Sequence, residues 1–501
     1  MAPRGVAAAG PPAVTELLAR YQAAVADPSS SEVVQVETYG TVSGAGLSGA
    51  FHTWLEGDRE RTDQNLGPRN ERTLRLGDRV WFSDSDGDVR EYTGLLLRRA
   101  RTERFIDSGD FAKHPERCAF RGVTFVAGRR TYALDVAAAG GETETLYLDA
   151  STGLPDRIAY AEDDGRSTFD LSDWRTVGGH RFPFRGVESD GDHAFDTVQV
   201  TSAVKLGEPI DSAIFSPFSG RSIEMNAAET VPLDLRDGHA FASVRIDGRP
   251  YTFLIDTGAQ NIVLDKHVAA ELHLTASGAL EASGASRTGG LQLVQIAELR
   301  VGSGRLRNLV ATTIDLEAST GGAFRIDGIL GYPFFAAAVV RLDPAHRTMT
   351  FGPPGSIGPS GEKLTIETDR ALPEANLRIG DTAGEVIVDT GSAAELLLYR
   401  PFVDKHPGIV PFTRDEARSF GIGGSTPSYR STLDRLLFGS IPLYRVDTDV
   451  MLATRGAFAD RFDAGNVGFG ILRNFIVTFD EGHNAIYVER GDDFDDGRTR
   501  V

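Results

Sequence analysis

Two segments of this chain repeat one pattern. VRIDGRPYTFLIDTGA runs from Val244 to Ala259, and LRIGDTAGEVIVDTGS runs from Leu377 to Ser392. Each reads as a strand, a bend containing Gly, and a returning apolar strand that ends at Asp-Thr-Gly. Arg245 stands 11 residues before Asp256, Arg378 stands 11 before Asp389, and the two acids are 133 apart. Further on, LRVGSGRLRNL matches LLFGSIPLYRV, and DGILGYPFFAAAVVRLDPAHRTMTF matches GNVGFGILRNFIVTFDEGHNAIYV; Gly302 and Gly439, like Gly331 and Gly468, are 137 apart. One insertion of four residues accounts for the change. Its expected place is the Gly-rich loop, SGASRTGG in the first copy and FGIGGSTPSYR in the second. Motifs kept in one order at a near-constant offset are the mark of an internal repeat.

An acid at the end of a buried strand is costly alone, because an unpartnered carboxylate loses its hydration or is driven neutral. Two such acids in matching frames imply that each exists for the other. The Gly after each Asp-Thr allows a tight turn that a Cβ would hinder. Two adjacent carboxyls cannot both ionise, so the pair holds one proton near its working pH, and its pKa values belong to the pair.

These residues resemble the aspartic proteases. The hallmark is Asp-Thr-Gly-Ser/Ala after an apolar strand, then two apolar residues and Gly. Here those are Asp256-Thr257-Gly258-Ala259 with Ile329-Leu330-Gly331, and Asp389-Thr390-Gly391-Ser392 with Val467-Gly468. The resemblance covers both repeats, roughly half of the 501 residues. It implies two pseudo-symmetric β lobes facing across a cleft, with Asp256 and Asp389 as the catalytic pair and no cofactor or metal. It implies that the Thr257 and Thr390 hydroxyls bond backbone across the pseudo-twofold axis. The ionised acid acts as general base on a water and the protonated one donates to the substrate carbonyl. The implied activity is hydrolysis of peptide bonds in a peptide or protein substrate.

Ser392 follows the second motif and Ala259 the first. A hydroxyl can donate to a carboxylate, so the proton is expected on Asp256 and the charge on Asp389. The pattern departs from pepsin in its loops. SGASRTGG, with Gly284 and Gly289, lacks the flap aromatic; GIGGSTPSYR, with Gly423 and Gly424, carries Tyr429 in the other lobe. Lobes of about 125 residues are short for pepsin, and retroviral-type enzymes have DTGA but dimerise. The chain is similar to a bacterial single-chain, two-lobe relative, expected to work as a monomer.

Before the repeats, AVTELLARYQAAVAD has helical spacing, with Val14, Leu17, Leu18, Tyr21 and Val25 on one stripe. Short alternating runs follow (VVQVETYG, AFHTWLEG, RTYALDV), separated by turns such as DSDGD and AAGGE, with one helix expected over Gly94 to Phe105. The reading is a curved antiparallel sheet with helices against it. With ETLYLDASTGLPDRIAYAEDDG, it resembles the half-barrel of periplasmic lipoprotein-carrier proteins, which implies a lipid or lipoprotein as a further partner; a substrate-recruiting or inhibitory module is the alternative. The expected organisation is mostly β: 1–217 the half-barrel α+β domain, 218–352 the first lobe, 353–363 a Gly/Pro/Ser-rich linker, 364–490 the second lobe, and 491–501 a frayed tail.

Bulk properties exclude several classes. With 52 Lys+Arg against 71 Asp+Glu the chain carries −19, which argues against nucleic acid or an anionic membrane as the main partner. Cys118 is the only cysteine, so there is no intrachain disulfide and no cysteine metal cluster. The longest apolar run, Phe334 to Val340, falls far short of the ~20 residues a spanning helix needs. The start, MAPRGVAAAGPPAV, lacks a convincing signal-peptide core, yet a periplasmic or secreted setting is expected from the resemblances. GAGLSG (Gly44 to Gly49) matches a dinucleotide fingerprint by letter, but a strand-like run follows it, so a hairpin turn is expected. His267 and His273 lack the spacing of a zinc pair, there is no GxSxG elbow, and Arg245 and Arg378 read as a solvated strand face. The alternative reading is a catalytically silent peptide- or lipoprotein-binding protein that keeps the protease fold.

Overall fold

The computed structural model describes residues 12–27, 34–163, 165–283, 287–319, 325–368, 370–421 and 424–497. The chain is mostly β, with short helices between strands. Among the described residues, no helix is long and apolar enough to cross a membrane.

Thirteen strands between Gln35 and Leu206 form one antiparallel sheet. The first six run outward as successive hairpins from Gln35–Gly44 to Val89–Glu91. The last seven run inward from Cys118–Val126 to Thr197–Leu206. One long-range pair joins the two runs, with Val36 opposite Leu206. GAGLSG is a hairpin: Gly44 pairs with Leu47, and Ala45 and Gly46 both take positive φ, as a two-residue turn between right-twisted strands requires. DSDGD is also a turn, in which the Asp84 carboxylate accepts from the amides of Asp86 and Asp88, both at 3.0 Å. The helix Val14–Val25 buries Leu17, Leu18 and Tyr21 against Phe111, Leu146 and Leu148. The helix Gly94–Asp107 adds Ile106 to the same core.

The two repeats share a sheet. Strands Glu229–Pro232, Thr348–Gly352 and Val339–Asp343 come from the first copy. Phe475–Asp480, Ala485–Arg490 and Glu362–Glu367 come from the second, in mirrored order. They meet where Val340 lies opposite Phe479 and Leu342 opposite Val477. One apolar core runs through both copies, from Ile223 to Val488. Each copy then adds its own strands. In each, the strand ending at Asp-Thr-Gly lies parallel to the short apolar-Gly strand: Leu254 beside Ile329, and Val388 beside Val467.

Two expectations need correction. The four-residue gain between copies is not one insertion. Val263 and Leu397 hold the same place, each antiparallel to the apolar-Gly strand, so the offset has already changed between the first motif and that strand. Loops absorb single residues at little cost, so gaps spread. Within the expected tail, the described residues 491–497 are held in place and are not frayed: Phe494 packs 5.3 Å from the Phe475 ring, and the Tyr444 amide donates to the Asp496 carbonyl at 2.7 Å. Tyr429 is buried on the hairpin strand opposite Glu416, with its ring 5.1 Å from that of the exposed Phe412.

Candidate active site

Each acid sits at the last turn of its strand, and the turn supplies its first donors. The Gly258 amide donates to Asp256 Oδ1 at 2.9 Å; the Gly391 amide donates to Asp389 Oδ1 at 2.9 Å. The same glycines bring the acids together. A Cβ on Gly258 would stand 2.6 Å from the Asp389 carboxyl carbon, and one on Gly391 would stand 2.2 Å from that of Asp256. Each carboxyl therefore lies against the other copy's glycine, where no side chain fits.

The threonines lock the pair from below. The Thr257 amide donates to Thr390 Oγ1 and the Thr390 amide to Thr257 Oγ1, both at 3.0 Å. The Thr257 hydroxyl donates to the Val388 carbonyl at 2.6 Å, and the Thr390 hydroxyl to that of Ile255 at 2.9 Å. Both are buried, so each polar group finds its partner across the axis. Gly331 and Gly468 brace the turns. A Cβ on Gly331 would meet the Ala259 carbonyl at 2.4 Å, and one on Gly468 that of Ala394 at 2.3 Å. Leu330 and Val467 are buried beside them.

The surroundings of the two acids differ. Asn466 Nδ2 donates to Asp389 Oδ2 at 2.8 Å, and the buried Tyr399 hydroxyl donates to Asn466 Oδ1. The first copy has Ile329 at the place of Asn466, in the middle of the apolar-Gly strand. Ser392 reaches Asp389 through its amide at 3.2 Å, not through its hydroxyl. The side-chain donor expected of the Ser392 hydroxyl is instead the Asn466 amide. Burial and the adjacent Asp389 charge hold Asp256 well above the ordinary carboxylate range. Burial also raises Asp389, and donors from Asn466, Gly391, Asp256 and Ser392 oppose the rise. His239 lies beside Asp389 and Gly391, and burial depresses its imidazole pKa against the pull of the Asp389 charge.

The sequence reading missed Asn466, Tyr399 and His239. Asn466 had a signal: aligned on Gly331 and Gly468, it is a polar residue where the other copy is apolar. His239 and Tyr399 had none, since only tertiary folding brings them near the acids. Of the flap candidates, Gly284 and Gly423 lie outside the described residues. The Gly289 backbone pairs with Glu281, and Gly424 opens the strand Gly424–Phe438 opposite Gly421. Arg245 and Arg378 are exposed positions of otherwise largely buried strands and donate to the carbonyls of Gly248 and Asp381, three residues on in each copy. Among the described residues, Glu367, Glu374 and Glu385 bring carboxylates close enough for a metal, but Arg370 already holds Glu374 at 2.8 Å.

A family model described as aspartyl protease matches residues 242–334, a span within the first repeat that includes Asp256 and Gly331. No curated protein matches the chain. Solved structures with likeness to it include a putative outer membrane lipoprotein-sorting protein domain from Vibrio parahaemolyticus. That pair is 12% identical, with a TM-score of 0.29, covering 40% of this chain and 95% of that one. A DUF1329 family protein from Desulfovibrio piger has 14% identity and a TM-score of 0.30, over 41% and 96%. A LolA superfamily protein from Nitrosomonas europaea has 14% identity and a TM-score of 0.29, over 41% and 99%.

Proposed function

We propose that the chain is an aspartic endopeptidase, in which Asp256 and Asp389 activate one water for attack on a peptide carbonyl. The observation that carries this reading is the reciprocal seating of each carboxyl on the other copy's glycine, above the crossed threonine bonds. That arrangement forces two acids into one buried space, where they share a proton. The ionised carboxylate takes a proton from the water as it attacks. The other acid gives its proton to the carbonyl oxygen, so the tetrahedral species forms without metal or covalent enzyme intermediate. The family match over residues 242–334 supports the reading for the first copy.

The charged groups beside the helix on the N-terminal sheet disfavour an acyl chain at that place. Glu103 and Asp107 of the helix Gly94–Asp107 are surrounded by Glu60, Arg75, Arg99, Glu144 and Glu188. Burying hydrocarbon against such groups would strip their hydration without return.

The test is cleavage of a peptide library by the full chain between pH ~3 and 8, beside Asp256→Asn and Asp389→Asn. We expect a bell-shaped profile in the parent and a loss of ~10³-fold or more in each variant. Cleavage that survives either substitution would exclude the pair as the catalyst. No cleavage, together with no binding of a statine-type transition-state mimic, would favour the silent binding protein.

A further inference from the structure

The second copy contains a hydrogen-bond chain that the first lacks. Tyr399 is 1% exposed and Asn466 5% exposed, so both must find partners inside the protein. The Tyr399 hydroxyl donates to Asn466 Oδ1, and Asn466 Nδ2 donates to Asp389 Oδ2. Burial holds the Tyr399 hydroxyl protonated, so it serves as a donor throughout the working range. A donor on Oδ1 turns the amide nitrogen, which can only donate, toward Asp389. The end of the chain therefore demands an acceptor, and an ionised carboxylate accepts best.

The first copy breaks this chain at both positions. Ile329 replaces Asn466. Asp265 takes the place of Tyr399, where each stands at the N-cap position of the helix after its strand: Lys266–Glu271 in one copy, Arg400–Lys405 in the other. Asp265 spends its carboxylate on the amides of His267 and Leu316, both at 2.8 Å. Tyr399 makes no side-chain cap and turns its hydroxyl inward instead. Asp256 thus has its turn amides and the facing carboxyl, and no side-chain amide among the described residues.

We propose that Asn466, oriented by Tyr399, is a positioning residue that keeps the charge of the pair on Asp389 and the shared proton on Asp256. This deepens the peptidase reading, on which it rests for its effect on cleavage. Under it, Asp389 is the base that accepts the water proton and Asp256 the acid that serves the carbonyl. Among the described residues, the other titratable and charged groups near the pair are His239 and, behind Tyr399, Asp460, Asp463 and Arg370.

The test reads proton location directly on the full chain. An ionised carboxylate opens an epoxide to a hydroxy ester. An un-ionised carboxyl gives its proton to a diazoacetyl ester, which loses nitrogen as the carboxylate bonds to its carbon. Peptide mass mapping then reports which acid carries each label. We expect the epoxide label on Asp389 and the diazo label on Asp256. In Asn466→Ile, which copies the first repeat, the pH at half-maximal epoxide labelling should rise by ~1 unit, and the preference between the acids should fade. Tyr399→Phe keeps the shape and should move it the same way by about half as much; it carries the test if Asn466→Ile does not fold. An epoxide label on Asp256 in the parent, labelling of neither acid at any pH, or a profile unmoved in both variants overturns the proposal. So does a limb that moves in His239→Asn alone. Selective labelling without any cleavage would leave this proton assignment standing and remove the peptidase reading instead.

Discussion

At the scale of single residues, the candidate site is held by what is absent as much as by what is present. Gly391 leaves the room in which the Asp256 carboxyl sits, with 2.2 Å to a notional Cβ. Gly391→Ala must displace that carboxyl. It should cut peptide cleavage by ~10²-fold or more, since a misplacement of about 1 Å already costs that much. A fold check by circular dichroism should show the strands intact; parent-level cleavage would show that the two carboxyls need not adjoin. The acids, threonines and glycines of this site were legible in the sequence because their spacing recurs in two copies. The origin of the asymmetry was not. Ser392 stands in the same turn as Asp389 and invited the wrong donor, whereas Asn466 comes 77 residues after Asp389 and reaches it only because its strand lies parallel to the one carrying the acid.

At the scale of elements, the sheet shared by the repeats makes each copy depend on the other. Phe479, fully buried, lies opposite Val340 at the junction and packs its ring 5.4 Å from that of Phe335. Phe479→Ala should destabilise the chain by ~3–5 kcal/mol, measured by denaturant unfolding. The loss should appear as one transition in which both copies unfold together, and two separated transitions would show that the copies fold independently. This sheet was invisible in the sequence for a physical reason. Strand propensity and alternation reveal that Val339–Asp343 and Phe475–Asp480 are strands, but not which edges meet across more than a hundred residues. The hairpins of the N-terminal sheet were readable because each turn lies between the strands it joins.

At the scale of the whole molecule, the N-terminal sheet is docked onto the repeats through buried groups. Val42, Leu47, Phe51 and Leu66 pack against Leu293 and Val310. The Val310 amide donates to Asp86 at 2.6 Å, and Asp163 lies 3.1 Å from Arg370. Burial raises Asp86 to about 6 and, with Asp88 nearby, Glu481 to about 8. Acids whose folded pKa exceeds the unfolded value near 4 stabilise fully only below that value, and the contribution is lost as pH rises through the folded pKa. The unfolding temperature should therefore fall between pH ~5 and 9, and Glu481→Gln should recover about 2–4 °C at the alkaline end with little change at pH ~5. Scanning calorimetry at both pH values checks this, and an unfolding temperature that rises with pH would contradict it. The joined repeats have one more consequence. Two identical halves meeting on a true twofold axis must give both carboxyls the same neighbours, so neither could be assigned in advance as acid or base. A covalent fusion releases each half to drift by itself. The pairing of Asn466 with Tyr399, set against Ile329 with Asp265, is the form that freedom takes here: two copies of one pattern that are no longer interchangeable beside their facing carboxyls.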